Sequence, residues 1–315
     1  MASVFWRRRF KLPAAEDRLF RVAEDTQLLG RCHWQPGARG DSPVLALVHG
    51  LEGSSESNYM LGMTEQAFSR GFHVVRLNQR NCGGTELLTP TLYNSGLSGD
   101  YRAVLEELAA GDGLKEICFA GYSMGGNLVI KMAGELAGSA PPELRAVCAV
   151  CPALDLAACA DALERPDNFL YELRFVRGLI KRYARKAALF PERYRRDGFG
   201  AIRTIREFDD KITAPHFGYR DAEDYYTRAS ARKVLAEIRV PTLIVTAQDD
   251  PFVPYTATAA AGVLNNPAIT FEAPVYGGHC SFISRHPGRG RFWAEQRVAE
   301  FCSEARTQAR SRAGR

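Results

Sequence analysis

The chain has 315 residues, of which 46% are hydrophobic and 24% charged, and a formal net charge of +5 at pH 7. Those proportions belong to folded globular proteins and exclude a disordered chain or a membrane channel; the length suits one large α/β domain or two small ones. No uninterrupted apolar run approaches the roughly 18 to 20 residues that cross a bilayer, and Phe5-Trp6-Arg7-Arg8-Arg9-Phe10 is followed by no apolar leader core, so neither a span nor a signal peptide is expected.

In chain order, Leu19 to Ala23 and Leu28 to Trp34 read as an antiparallel edge pair. Short apolar strands follow at Val44 to Val48, His73 to Leu77, Glu116 to Ala120, Ala146 to Val150, Thr242 to Thr246 and Ile269 to Glu272. Helices are expected at Leu97 to Ala110, Gly125 to Ala137, Tyr255 to Leu264 and Gly290 to about Glu304. Strands alternating with helices predict a mostly parallel, twisted sheet with helices on both faces. The alternation stops over residues 151–239, where the apolar spacing of Leu170, Leu173, Phe175, Val176, Leu179 and Ile180 predicts a mostly helical cap insertion over the carboxyl edge of the sheet. Residues 1–150 and 240–305 would then form the core, and 306–315 a disordered basic tail.

The eight cysteines are scattered and read as small buried hydrophobes in a reducing, cytoplasmic setting. Cys148-Ala149-Val150-Cys151 has C-x-x-C spacing, but along a strand residues three apart face opposite ways and no second pair accompanies it. Arginines are dense from Arg174 to Arg206 and again in the tail, with no recognition helix or aromatic-interleaved RNA motif among them. They read as a solvated helical face or a weak contact with an anionic surface, and no nucleic-acid partner is expected.

The chemistry centres on Gly121-Tyr122-Ser123-Met124-Gly125, a G-x-S-x-G placed between an apolar strand and an apolar helix. A serine on that turn is held in a strained conformation, so its neighbours two residues away must be small, and its hydroxyl emerges at the carboxyl end of the sheet. Such a serine needs a base and a group to orient the base, which in elbow-type hydrolases follow in the order acid, then histidine. Asp249-Asp250 follows the strand ending at Thr246, and Gly277-Gly278-His279 follows the strand ending at Glu272. Of six histidines, His279 has the position of the base; Asp250 is preferred as its orienting acid, with Asp249 bracing the loop. His49-Gly50-Leu51-Glu52-Gly53 supplies a glycine-rich turn after the strand Val44 to Val48, so the amides of Leu51 and Met124 are the candidates for an oxyanion hole. No metal or cofactor is called for. Phe169, Leu170, Phe175 and Phe190 could line an acyl pocket, or be core and surface.

Several further stretches carry a family resemblance. They are His49 to Gly53, Asn78-Gln79-Arg80-Asn81-Cys82-Gly83-Gly84-Thr85, Leu92 to Gly96 with Asp100, the elbow through Asn127, and Phe208-Asp209-Asp210 with Thr213-Ala214-Pro215 and Gly218-Tyr219. Tyr225-Tyr226 with Ser230, Asp249-Asp250-Pro251 and Gly277 to His279 complete the set. Together they resemble the YheT-like branch of the α/β-hydrolases, relatives of the eukaryotic ABHD hydrolases and of yeast ethanol acyltransferases. The resemblance implies the α/β-hydrolase fold and a serine hydrolase of carboxylic esters, small-molecule or lipid, with Ser123, Asp250 and His279 in the matching positions. Acyl transfer to an alcohol, or a binding protein that keeps the fold without activity, are the alternatives. Asn81 stands where the family more often has glycine; asparagine tolerates left-handed backbone angles.

Overall fold

The computed structural model describes residues 8–195, 201–284 and 291–313. Eight strands form one sheet in the order β1-β2-β4-β3-β5-β6-β7-β8: β1 (Glu16–Ala23), β2 (Thr26–His33), β3 (Val44–Val48), β4 (His73–Leu77), β5 (Ile117–Tyr122), β6 (Leu144–Val150), β7 (Thr242–Val245) and β8 (Ile269–Glu272). Strands β1 and β2 pair antiparallel and β2 joins β4 antiparallel; every other neighbour is parallel.

The inner strands are buried on both faces, which is why β3 and β5 read as unbroken apolar runs, while β4 also buries His73 and Arg76. Alternation still sorts their side chains. Val44, Ala46 and Val48 enter one hydrophobic cluster, Leu45 and Leu47 the other. The second cluster is covered by α1 (Asn58–Phe68), through Met60, Met63 and Ala67, and by a C-terminal helix through Val298, Ala299 and Cys302. The first is covered by α2 (Ser98–Glu106) and α3 (Met124–Leu136).

Between β6 and β7 lie α4 (Leu156–Leu163), α5 (Phe169–Leu189), a helical turn Ile205–Phe208 and α6 (Ala222–Ala229). After β7, α7 (Tyr255–Ala260) stops earlier than the apolar pattern suggests, because Gly262 takes a left-handed conformation (φ +83°) and starts a separate turn, Val263–Asn265.

One expectation is corrected at the C-terminus. The last helix, α8, runs Trp293–Ala313, so residues 306 to 313 of the expected disordered basic tail are helical. The reason is tertiary. Cys302 and Ala305 are buried, and the Arg306 guanidinium bonds the Glu116 carboxylate at 2.8 and 2.9 Å and lies over the Phe72 ring. The expected helix start at Gly290, the tail beyond Ala313 and the Phe5 to Arg7 part of the basic N-terminal stretch lie outside the described residues.

Candidate active site

Ser123 is the hinge between β5 and α3. Its φ of 53° is a conformation non-glycine residues rarely adopt. The turn is held by its own amide donating to Val150 O (2.9 Å) and by its carbonyl accepting from the Asn127 and Ala153 amides (3.1 and 3.3 Å). A Cβ on Gly121 would strike the Gly125 backbone, and one on Gly125 would strike the carbonyls of Val48 and His49, so both flanking glycines are sterically required. The strain is concentrated here: Glu52, Cys151, Cys280 and Phe282 also have positive φ.

The loop after β7 and the loop after β8 meet beside Ser123. The His279 Nδ1–H donates to Asp250 Oδ2 at 2.8 Å, and Asp250 Oδ1 accepts from the Phe252 and Val253 amides at 2.9 and 3.0 Å. Asp249 does something different: its Oδ1 accepts from the Gly277 and Gly278 amides at 2.8 and 2.7 Å, tying one loop to the other. The Phe252 ring packs edge-on against the imidazole with centroids 4.7 Å apart.

The charges at this point reinforce one another. Burial pushes the Asp250 carboxyl upward, but the facing imidazolium and the two amides outweigh it and hold the group below the usual carboxylate range. Burial pushes His279 downward; the adjacent anions of Cys280 and Asp250 outweigh it, and the imidazole sits well above its ordinary value. Burial raises the Cys280 thiol, while a hydrogen bond with Cys151 and the His279 charge bring it down to about 6. Cys151, His279 and Cys280 are the one grouping of metal-type ligand atoms among the described residues, within 4.8 Å of one another, although His279 Nδ1 already serves Asp250.

Leu51 and Met124 border Ser123, the first from the turn after β3 and the second as the first residue of α3. Burial drives His49 down to about 4, so it is neutral. It bonds Gly50 O through Nδ1 (2.8 Å) and accepts the Gln79 amide at Nε2 (3.1 Å). The Tyr59 hydroxyl accepts the Gly50 amide at 3.0 Å. Glu52 anchors the loop to the insertion: its Oε1 accepts from Tyr93 OH (2.7 Å) and from Arg182 Nε (2.8 Å), and Arg182, on α5, also donates to Asn81 O. Asn81 has φ 64°, the left-handed angle its side chain tolerates. This Glu52–Arg182 anchor was not foreseen from sequence, and neither was the part played by Tyr59.

Two cavities meet at Ser123. One, of about 110 Å³, lies under the insertion and is lined mainly by apolar groups, among them Leu51, Met124, Leu156, Leu163, Phe175, Leu179 and Phe208; Asp209, buried and raised to about 6 by burial, lies at its wall. The other, of about 760 Å³, is lined by Ser123, His279, Cys280, Glu52, Tyr171 and Arg174. Of the four residues considered for an acyl pocket, Phe175 lines these cavities and Phe190 packs on the core, while Phe169 and Leu170 face solvent.

A parallel sheet with an antiparallel edge, a serine elbow after its central strand, and a carboxylate and histidine delivered by the last two strand ends define an α/β hydrolase. A sequence model of the α/β-hydrolase fold matches residues 43–285, and the chain belongs to that family. Within it the chain falls in the YheT-like branch: it is 34% identical over 269 residues to YheT of Escherichia coli, covering 84% of this chain and 78% of that protein. It is 32% identical over 242 residues to phospholipase ABHD3 of Mus musculus, covering 76% of this chain and 58% of that one. Among solved structures, the Pyrococcus furiosus esterase Pf2001 shares the fold with a TM-score of 0.61 at 16% identity, over 94% of this chain and 91% of its own. Est1E of Butyrivibrio proteoclasticus does so at 0.59 and 17%, over 92% and 99%.

Proposed function

We propose that the chain is a serine hydrolase that cleaves carboxylic esters through an acyl-enzyme intermediate. The observation that carries the reading is the 2.8 Å bond from His279 Nδ1 to Asp250, in a loop that lines the same two cavities as the strained Ser123. With Nδ1 engaged by the carboxylate, Nε2 is the atom left to take the Ser123 proton. The Ser123 oxygen bonds the ester carbonyl carbon, and the carbonyl oxygen becomes an oxyanion facing the amides of Leu51 and Met124 and the N-terminus of α3. Collapse breaks the bond to the alcohol oxygen, which leaves with the proton from His279. A water, deprotonated by His279, then attacks the acyl carbon and frees Ser123 and the acid.

The apolar cavity suits the acyl chain, and the wider, mixed one the departing alcohol. Residues 151–239 act as a cap in this reading, since α4 and α5 wall the apolar cavity. The relatives called phospholipase and monoacylglycerol lipase support an ester of lipid type. No described helix is long and apolar enough to cross a membrane; all eight cysteines are free, which supports a cytoplasmic location. A fluorophosphonate probe tests the mechanism: mass spectrometry should find it on the Ser123 peptide of the wild type and nowhere on Ser123→Ala. Well-folded wild type that stays unlabelled would overturn the proposal.

A further inference from the structure

Helix α5 carries six cations and one carboxylate, and the carboxylate, Glu172, is buried. Two of the cations are also buried: Arg182 on Glu52, and Lys186 on the carbonyl oxygens of Glu86 and Thr89. The other four, Arg174, Arg177, Lys181 and Arg185, are exposed and spaced three or four residues apart, so they form one stripe along the solvent side. Arg185 pairs with Glu86 at 3.2 Å; Arg174, Arg177 and Lys181 have no acidic partner among the described residues.

Leu170 heads the same stripe, 71% exposed, beside Phe169 at 60%. A solvent-facing helix stripe with cations unneutralised and large apolar side chains at its leading end matches the surface of an anionic bilayer, where headgroups meet the charges and the apolar end enters the acyl boundary. The position fits as well. Tyr171, Arg174 and Phe175 line the wider cavity at Ser123, facing the loop residues Asp249, Pro251 and Gly278. On that second side Val275 and Tyr276 are 55% and 80% exposed.

We propose that the solvent face of α5, led by Phe169 and Leu170, docks on an anionic phospholipid bilayer and turns the mouth of the Ser123 cavity toward the lipid. The docking stands on the surface alone; its use, delivery of a lipid ester to Ser123, rests on the hydrolase reading above. Flotation of the full chain with vesicles, in a Ser123→Ala background so that no lipid is consumed, tests it independently of catalysis. Vesicles with one third phosphatidylglycerol should carry the protein and pure phosphatidylcholine should not, and added salt should release it. Each cation near the surface accounts for about five-fold in binding, so Arg177→Glu with Lys181→Glu should weaken it at least about 25-fold, and Leu170→Ser several-fold. Arg102→Glu, which changes an exposed charge on α2, should bind as the parent does. Unfolding midpoints matching the parent's would show that the variants are folded. Failure of the parent to bind, equal binding by the double variant, or Leu170→Ser without effect while duplex DNA competes freely would overturn the proposal, the last pointing to a general polyanion surface.

Discussion

At the scale of single residues, the site separates two neighbouring aspartates that sequence alone could only rank. Asp250 bonds the imidazole and Asp249 bonds the Gly277 and Gly278 amides. Asp250→Asn should therefore lower kcat by about 10⁴ through the wrong imidazole tautomer, while Asp249→Asn should cost far less and act through loop order; steady-state kinetics on one ester would show the larger loss in Asp249→Asn if the assignment is reversed. The charges make a second prediction. If His279 is the base it must be neutral to take a proton, and the Cys280 and Asp250 anions hold its pKa above the ordinary value, so activity should fall on the acid side of an apparent pKa above about 6.5. Cys280→Ser removes one anion and should move that limb to lower pH; an unmoved limb would show that the thiolate has no hold on the base. That Ser123, Asp250 and His279 would be brought to one place was legible because chain order and flanking glycines mark them. Cys280 was not legible as a partner of His279, since nothing in its neighbours distinguishes it from the other thiols.

At the scale of elements, α5 both walls the apolar cavity and fixes the loop that holds Leu51. Its apolar spacing made the helix readable, but its anchor was not readable, because Arg182 and Glu52 are separated by 130 residues. Periodicity also could not say which of its apolar groups turn inward, and Phe169 and Leu170 turn out. The end of α8 escaped sequence reading for a related reason: an arginine-rich segment looks like tail until Glu116, 190 residues away, accepts its guanidinium. If the Glu52–Arg182 pair positions the Leu51 amide, Arg182→Gln should reduce kcat about 10- to 100-fold with a smaller change in KM. A loss confined to KM would place the pair in substrate binding instead.

For the whole molecule, the parallel core and its antiparallel edge pair followed from the strand and helix pattern, while the strand order and the burial of polar groups within the sheet did not. His49 is fully buried and held at about 4. Its folded pKa lies below the unfolded value of about 6.5, so the unfolded state binds the extra proton between those values. The stability it contributes is present above pH 6.5 and lost as pH falls toward 4, up to about 3 kcal/mol. Asp209, raised to about 6, acts in the opposite sense over part of that window, so the comparison must be a difference. Urea unfolding of wild type and His49→Gln from pH 7 to pH 4 should show the wild type losing the larger share on acidification. Parallel curves would contradict a neutral buried His49.

The measurement closest to the central claim is hydrolysis of p-nitrophenyl esters from acetate to palmitate by wild type and Ser123→Ala side by side. The account predicts turnover by the wild type, a drop of at least about a thousand-fold in kcat for the variant, and a chain-length optimum set by the apolar cavity. Equal rates from both proteins, or no turnover by folded wild type at any chain length, would contradict it.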